Sequence, residues 1–526
     1  MRYRPVILLA LCLAAFTISV DVTIVNVALP TLVRRLGATT TDLQWVVDAY
    51  SLAFAALVLA AGSLSDRLGR KGALLGGLAL FAAASLAGAF SATSGELIAA
   101  RAAMGIGAAL MFPATLSLLV NVFTERRERA RAIGLWGATT GVGIAVGPIV
   151  GGWLLERFWW GSIFCFLAGV AAVIAVLVAW SVPTSRDPAT PRLDLRGLAL
   201  STAGMAVLIL GVIEAPDWSW TSPAALATIS GGVALLAVFF AAERASDHPL
   251  LDVALFRNPR FTAASVSVAI SFFALQGFIF LVTQYFQFVQ DFSPLGTGVR
   301  LLPVAVCVAA ASIIGTRLAV RIGNKVVVAA GLVLFAAALL WASTSTAGTS
   351  YGIIAAEMVV LGTGMGLTSA PATEAIMGAV PKAKAGVGSA VNDATRLFGG
   401  TLGVAVIGSI AASLYTSRLA ATLPPRLPQA AVSAARGSVG GAVIASHGLA
   451  RFGQAAAARD LAQAATQAFL HSLAGGCQVT AGVALTGALV AALLLPARPR
   501  RQDEVTALTG GQAPDGAGRH ESAGLA

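Results

Sequence analysis

The sequence predicts an all-α integral membrane protein of fourteen transmembrane helices, and three observations carry that prediction. Of 526 residues, 57% are hydrophobic and only 11% charged, with a mean hydropathy of +0.82; soluble domains carry roughly 25% charged residues. The apolar residues fall in runs of about 20, enough for a helix to cross about 30 Å of hydrocarbon. The runs do not alternate in polarity as barrel strands do, and only helices or closed barrels satisfy their backbone groups in lipid.

In chain order the spans are placed at 6–30, 43–62, 73–91, 95–120, 133–155, 162–182, 196–213, 223–242, 261–284, 297–316, 326–344, 351–372, 386–413 and 476–496. The first run is long, lacks a small-x-small cleavage site near its end and contains Asp21, so it reads as a retained span rather than a signal peptide. An even number of spans puts both termini on one side. With that side inside, inner loops and tails hold roughly 24 Lys and Arg against roughly 9 outside, about five of these in the long 414–475 segment, where the rule is weak. Both termini are therefore expected in the cytoplasm.

The net charge of +11 does not point to nucleic acid, because the basic residues sit in short loops between apolar runs. Cys12, Cys165, Cys307 and Cys477 all lie in apolar runs without metal spacing and read as packing residues. No metal and no cofactor is expected. The outer segment 414–475 is rich in Ala, Gly and Pro, with short amphipathic helices expected around Ala455–Ala468. The polar tail, 497–526, is expected to be disordered and cytoplasmic.

The chain also repeats itself. "GSLSDRLGRKG" (Gly62–Gly72) follows span 2, and "TRLAVRIGNKV" (Thr316–Val326) follows span 10, pairing Arg67 with Arg321, Gly69 with Gly323 and Lys71 with Lys325. Asp66 becomes Val320. "PAT" recurs at Pro113–Thr115 and Pro371–Thr373. The expected organisation is an N-terminal six-helix bundle (1–185), two inserted spans (186–258) and a C-terminal six-helix bundle (259–496). Parallel repeats with a substrate site between them near the midplane are a transporter architecture.

Four motifs sharpen this. The loop Gly62–Gly72 combines glycines for a tight turn with Asp66, Arg67, Arg70 and Lys71, which either latch the two halves or simply anchor the loop inside. Span 4, "LIAARAAMGIGAALMFPA", carries Arg101, which either faces a partner or cavity or reaches back to the headgroups. Span 5, "GATTGVGIAVGPIVGG", sets Gly137 and Gly141 four apart and continues with Gly143, Gly147, Gly151 and Gly152; small residues at this spacing let helices approach closely, and Pro148 bends the helix. The opening "VDVTIVNVALP" places Asp21 in an otherwise apolar span. "LQWVVDAYSL" adds Asp48, and "AGVGSAVNDATRLFGGTLGVA" adds Asn392, Asp393 and Arg396.

On these motifs the chain resembles the major facilitator superfamily, in its fourteen-span drug:proton antiporter branch, over nearly everything from span 1 to span 14. Span 5 resembles the superfamily's antiporter motif, which implies efflux rather than import. One departure lies in span 6, where Leu167 stands near the place of an Asn common in the branch. The resemblance implies a major-facilitator-type fold in a bacterial plasma (inner) membrane, a small lipophilic substrate exchanged for protons, and a monomer.

Asp21 lies about 13 Å from the outer end of span 1, and Asp48 and Arg101 about 8 Å from the outer ends of theirs. Asp21 can then reach Arg101 directly or through water. Desolvation and a nearby guanidinium act oppositely on a carboxylate's proton affinity, so a distance that changes with conformation couples proton binding to motion. Asp21 is read as proton carrier, substrate counter-ion or both, against a structural hydrogen bond. Asp48, Glu357, Asp393 and Arg396 are further candidates, the last two sharing a helix face. Asn26, Trp45, Tyr50, Phe273, Gln276, Gln284 and Asn392 are candidates for the cavity wall. No HExxH, GxSxG, CxxC or Walker pattern occurs, so an enzyme is not expected. The function expected is proton-coupled efflux of lipophilic, including cationic, drugs or antibiotics by alternating access. The alternative is a dedicated exporter of one endogenous metabolite, such as an antibiotic or siderophore, with a channel or receptor further behind.

Overall fold

The computed structural model describes residues 4–185, 194–246, 250–380, 385–423 and 427–495; the predicted tail 497–526 lies outside them. The first bundle comprises α1 (Arg4–Leu36), α2 (Thr40–Leu68), α3 (Arg70–Ala89), α4 (Ser94–Val122), α5 (Arg126–Arg157) and α6 (Ser162–Ser181). The inserted pair is α7 (Leu195–Trp218) and α8 (Pro223–Ala245). The second bundle begins with α9 (Pro259–Gln284), which runs on as a π-helical turn, Tyr285–Val289. There follow α10 (Pro294–Arg300), α11 (Leu302–Ile322), α12 (Asn324–Ala342), α13 (Tyr351–Ala379), α14 (Ala385–Thr422), α15 (Gln429–Gly437), α16 (Val439–Arg451) and α17 (Ala455–Leu494). Thirteen helical segments among the described residues are long and apolar enough to cross a membrane. With α2, whose 29 residues pack between α4, α7 and α14, every predicted span has a helix.

Span 10 falls within the helical segment Pro294–Ile322, in which a turn at Leu301 separates α10 from α11. Two expectations need correction. The outer segment is not a loop with isolated short helices. α14 runs on to Thr422, α15 and α16 follow, and the predicted helix near 455–468 is the first part of the 40-residue α17. The stretch Gly62–Gly72 is not a loop either: α2 continues to Leu68 and the whole turn is Gly69, at φ +120°. Gly62 sits inside α2 facing Pro113 of α4. Gly323, at φ +91°, makes the same turn between α11 and α12; both positions need glycine because positive φ strains any side chain.

The sequence repeat is a repeat of packing. Gly105 of α4 lies on the Tyr50 carbonyl of α2, as Gly362 of α13 lies on the Val304 carbonyl of α11. Gly143 and Gly147 of α5 lie on α1 at the Phe16 and Val20 carbonyls, as Gly399 and Gly403 of α14 lie on α9 at those of Ala269 and Phe273. The glycines thus put backbone against backbone where a membrane bundle gains most of its packing.

Candidate functional site

α1, α2 and α4 build the site from three short-range choices. α1 is continuous through Asp21, whose carboxylate is 0% exposed. Glycines at 105 and 107 let α4 approach α2 and α3 closely, so Arg101, one turn earlier, is held at 1% exposure. Its Nη1 donates to both Asp21 oxygens at 2.7 and 2.8 Å, and its Nε donates to the Val46 carbonyl of α2 at 3.0 Å. The guanidinium carbon stands 4.3 Å from the Tyr50 ring centroid, so the cation is closed in by an aromatic face as well. A buried charge needs a partner and further hydrogen bonds, and this ion pair has both.

Asp48 is also 0% exposed, yet both of its carboxylate oxygens are without a hydrogen-bond partner. It does not join Asp21 and Arg101. Glu357 lies inside the second bundle, 3% exposed, accepting from the Ser345 hydroxyl at 3.3 Å. Asp393 and Arg396 approach to 4.0 Å and are part exposed. Arg396 also donates to Thr373 Oγ1 at 3.0 Å, which in turn donates to Asn392 Oδ1 at 3.3 Å, and it faces the Phe272 ring. The two halves therefore hold separate polar clusters.

The cavity candidates divide. Tyr50 belongs to the Asp21 site. Trp45 does not face it: its Nε1 donates to Glu214 of α7 at 3.0 Å, because Trp45 lies about 140° around α2 from Tyr50. Gln284 and Asn26 donate to carbonyls of their own helices, Phe280 and Val22. Gln276 packs beside Gly400, and Phe273 lies against Gly403. Of the span-5 glycines, Gly143, Gly147 and Gly151 pack on α1, and Gly152 on Leu295 of α10. Gly137 and Gly141 have open space beside them, so the helix-packing role expected of them is not filled in this conformation. In the turn motif, Lys71 donates to the Ala179 carbonyl at 2.8 Å and the Arg70 N–H to the Ser185 carbonyl at 2.8 Å. Both contacts lie within the first half, at the end of α6. Arg67 is exposed, and the Asp66 side chain lies outside the described residues.

Contacts between the halves gather at the predicted outer end. Gln44 of α2 donates to the Ala405 carbonyl and Ser409 hydroxyl of α14 at 2.9 and 3.0 Å. Gln287, on the π-helical turn, donates to the Val27 carbonyl at 2.9 Å. Gly298 abuts the Pro148 carbonyl, and Leu295 N–H donates to Glu156 at 3.2 Å. Over this closure lies α16, with Gly440 against both Val33 of α1 and Phe288. At the other end α5 is exposed at Ile133, Leu135, Val142 and Ile144. Sequence reasoning missed Gln44 and the bridging role of Gln287; an amide inside an apolar run was the available signal.

A family model for the Major Facilitator Superfamily matches residues 11–404. The multidrug efflux pump LfrA of Mycolicibacterium smegmatis is 35% identical over 485 residues, 92% of this chain and 95% of that one. The methylenomycin A resistance protein of Streptomyces coelicolor is 36% identical over 392 residues, 74% of this chain and 82% of that one. In fold, the chain is similar to a bacterial homologue of the human lysosomal transporter Spinster in an inward-facing, occupied conformation, with TM-score 0.65, 16% identity and coverage of 94% and 98%.

Proposed function

This chain belongs to the Major Facilitator Superfamily and is a membrane transporter, not an enzyme; from that premise we propose that it exports lipophilic compounds, cationic ones among them, in exchange for entering protons. The observation that carries the proposal is the fully buried Asp21–Arg101 ion pair. Ionisable groups inside a membrane bundle are costly and mark ion or proton paths.

Arg101 is tethered to α2 through Val46 and Tyr50, while Asp21 rides on α1. A shift of α2 against α1 therefore changes the distance between cation and carboxylate, and with it the acid's affinity for a proton. With the Gly69 turn on the cytoplasmic side, the conformation here is inward-facing: outer end closed, inner half of α5 exposed. The intact pair is then the proton-released form. Entry of a cationic substrate favours the ionised acid, and a proton arriving from outside replaces it after release. Residues 1–185 and 259–496 rock as the two halves, both termini are cytoplasmic, the protein works as a monomer, and Gly62, Asp66, Arg67, Gly69, Arg70 and Lys71 latch the inner side when it closes. In this reading the present contacts of Arg70 and Lys71 within the first half are the open position of that latch.

The test is reconstitution with a pH-sensitive dye trapped inside, an imposed pH gradient and a panel of lipophilic cations, with Asp21→Asn alongside. Compounds should speed proton flux in the wild type and not in the variant. Normal coupling in the variant would sink the assignment of Asp21. A narrower reading, export of one endogenous metabolite, draws on the methylenomycin resistance relative; a single compound moving protons out of a broad panel would favour it.

A further inference from the structure

We propose that Asp48 is a gate proton site distinct from Asp21: the outer end closes only when Asp48 holds a proton taken from outside, and that proton stays with the gate instead of crossing the membrane. The proposal rests on the orientation and motion given above.

Asp48 faces a different part of the molecule from the Asp21 site. At 100° per residue, Gln44, Trp45, Asp48 and Leu52 share one face of α2, and Val46 and Tyr50 the opposite one. The contacts agree. Val46 and Tyr50 meet Arg101. Gln44 bridges to α14, Trp45 donates to Glu214 of α7, and Trp45 and Leu52 pack against the cluster formed by Ile209, Val212, Ile213 and Ala405. Asp48 falls between Gln44 and Trp45 around the helix. It therefore points into the seam where α2 meets α14, with α7 covering that seam.

Among the described residues no cation compensates it there. Arg101 of α4 is on the far face and engaged by Asp21. The ionisable groups that α7 brings to this face are acids, Glu214 and Asp217, accepting from Trp45 and Thr41. α14 presents no charged residue between Arg396 and Arg418. A carboxylate that is 0% exposed and has no donor on either oxygen is stable in such a place only as the neutral acid.

Opening the outer end breaks the Gln44 contacts with Ala405 and Ser409 and parts α2 from α14. Asp48 then meets outside water and can ionise. Closing again requires the proton back. Because the seam is sealed in the inward-facing state, the proton has no route to the inner side. Closure thus binds one external proton, and the ratio of closed to open falls by up to tenfold per unit rise in external pH. By the same geometry, α7 shields a buried acid at the moving seam from lipid.

The experiment labels Ser409→Cys, in a background with Cys12, Cys165, Cys307 and Cys477 replaced by alanine, with a membrane-impermeant thiol reagent applied from outside at clamped internal pH. Because the thiolate is the reacting species and its fraction itself rises with pH, each rate is divided by that of Phe452→Cys, a position 86% exposed, in the same background at the same external pH. The divided rate should rise by up to about tenfold per unit rise in external pH. With Asp48→Asn in an Asp21→Asn background it should be low and independent of external pH, and Asp48→Leu should behave alike if the amide is poorly tolerated. Asp21→Asn should keep the pH dependence, so failure of the Asp21 assignment and failure of this one are separable. A pH dependence that survives Asp48→Asn in the Asp21→Asn background, or that is lost with Glu214→Gln, overturns the proposal. So does labelling that occurs only from the inner face.

Discussion

Arg101→Gln is the most direct perturbation of the buried pair. The wild-type guanidinium makes four hydrogen bonds, two to Asp21 at 2.7 and 2.8 Å, one to the Val46 carbonyl at 3.0 Å and a long one to Met104 Sδ at 4.0 Å. Removing it leaves the 0% exposed Asp21 carboxylate without its counter-charge, a loss of about 3–5 kcal/mol for a buried pair. Asp21→Asn/Arg101→Gln removes both charges together and leaves two amides able to bond each other. The double variant should therefore be more stable than the sum of the single losses, with a coupling free energy in the upper part of the roughly 0.5–3 kcal/mol range seen for contacting residues. Unfolding in lipid nanodiscs, followed by tryptophan fluorescence across a denaturant series, would measure the four corners of the cycle. Additivity within about 0.5 kcal/mol would refute the argument, since it would mean the two groups do not meet in the folded protein.

Two further predictions probe packing and closure. A methyl at Gly147 would meet the Val20 carbonyl at 2.9 Å, whereas Gly141 has open space; Gly147→Ala should destabilise by about 1–3 kcal/mol while Gly141→Ala is neutral or slightly stabilising, as read by thermal unfolding. A Cβ at Gly440 would stand 2.8 Å from Val33 Cγ1, so the Val33→Cys/Gly440→Cys pair should form a disulfide that stops transport and yields to reductant. Unimpaired transport by fully cross-linked protein would exclude α16 as part of the outer closure.

Periodicity made the spans legible because lipid enforces the rule on every helix at once: about 20 apolar residues, whatever their packing partners. The Asp21 site was legible for a related reason. A charge inside such a run is so costly that it announces a partner, and depth along the helix narrowed that partner to Arg101. What the sequence left hidden depended on rotation about a helix axis and on contacts from distant segments. Trp45 and Tyr50 are five residues apart in an apolar run, but the former meets Glu214 and the latter Arg101. The outer segment resembled a loop because Ala and Gly are weakly apolar, yet Ala431, Ala435, Ala442 and Ala465 are buried between its helices. The Tyr415 hydroxyl, donating to the Ala435 carbonyl at 2.9 Å, ties that segment to α14.

The repeat sharpens where the chemistry resides. The matched packing of Val20 with Phe273 and of Gly105 with Gly362 carries Asp21 onto Ala274 and Arg101 onto Met358, and both of those are 0% exposed. The match of Tyr50 with Val304 carries Asp48 onto Leu302, at the start of α11. The second half thus fills all three places with apolar side chains, and its own buried acid, Glu357, turns instead to Ser345. In the mechanism proposed above, two halves with one backbone plan divide the labour. The first holds Asp21 and Asp48, the two acids to which that mechanism gives the proton steps. The second supplies surfaces against which those groups are opened and closed: the Ala405 carbonyl for Gln44, Gln287 for Val27, and Gly298 for the bend at Pro148. A pair of charges placed symmetrically in both halves would respond alike to rocking and give it no preferred direction. In the proposed mechanism Asp21 and Asp48, which meet opposite sides of α2, respond differently to the same movement, and that asymmetry would let one motion serve both proton exchange and closure.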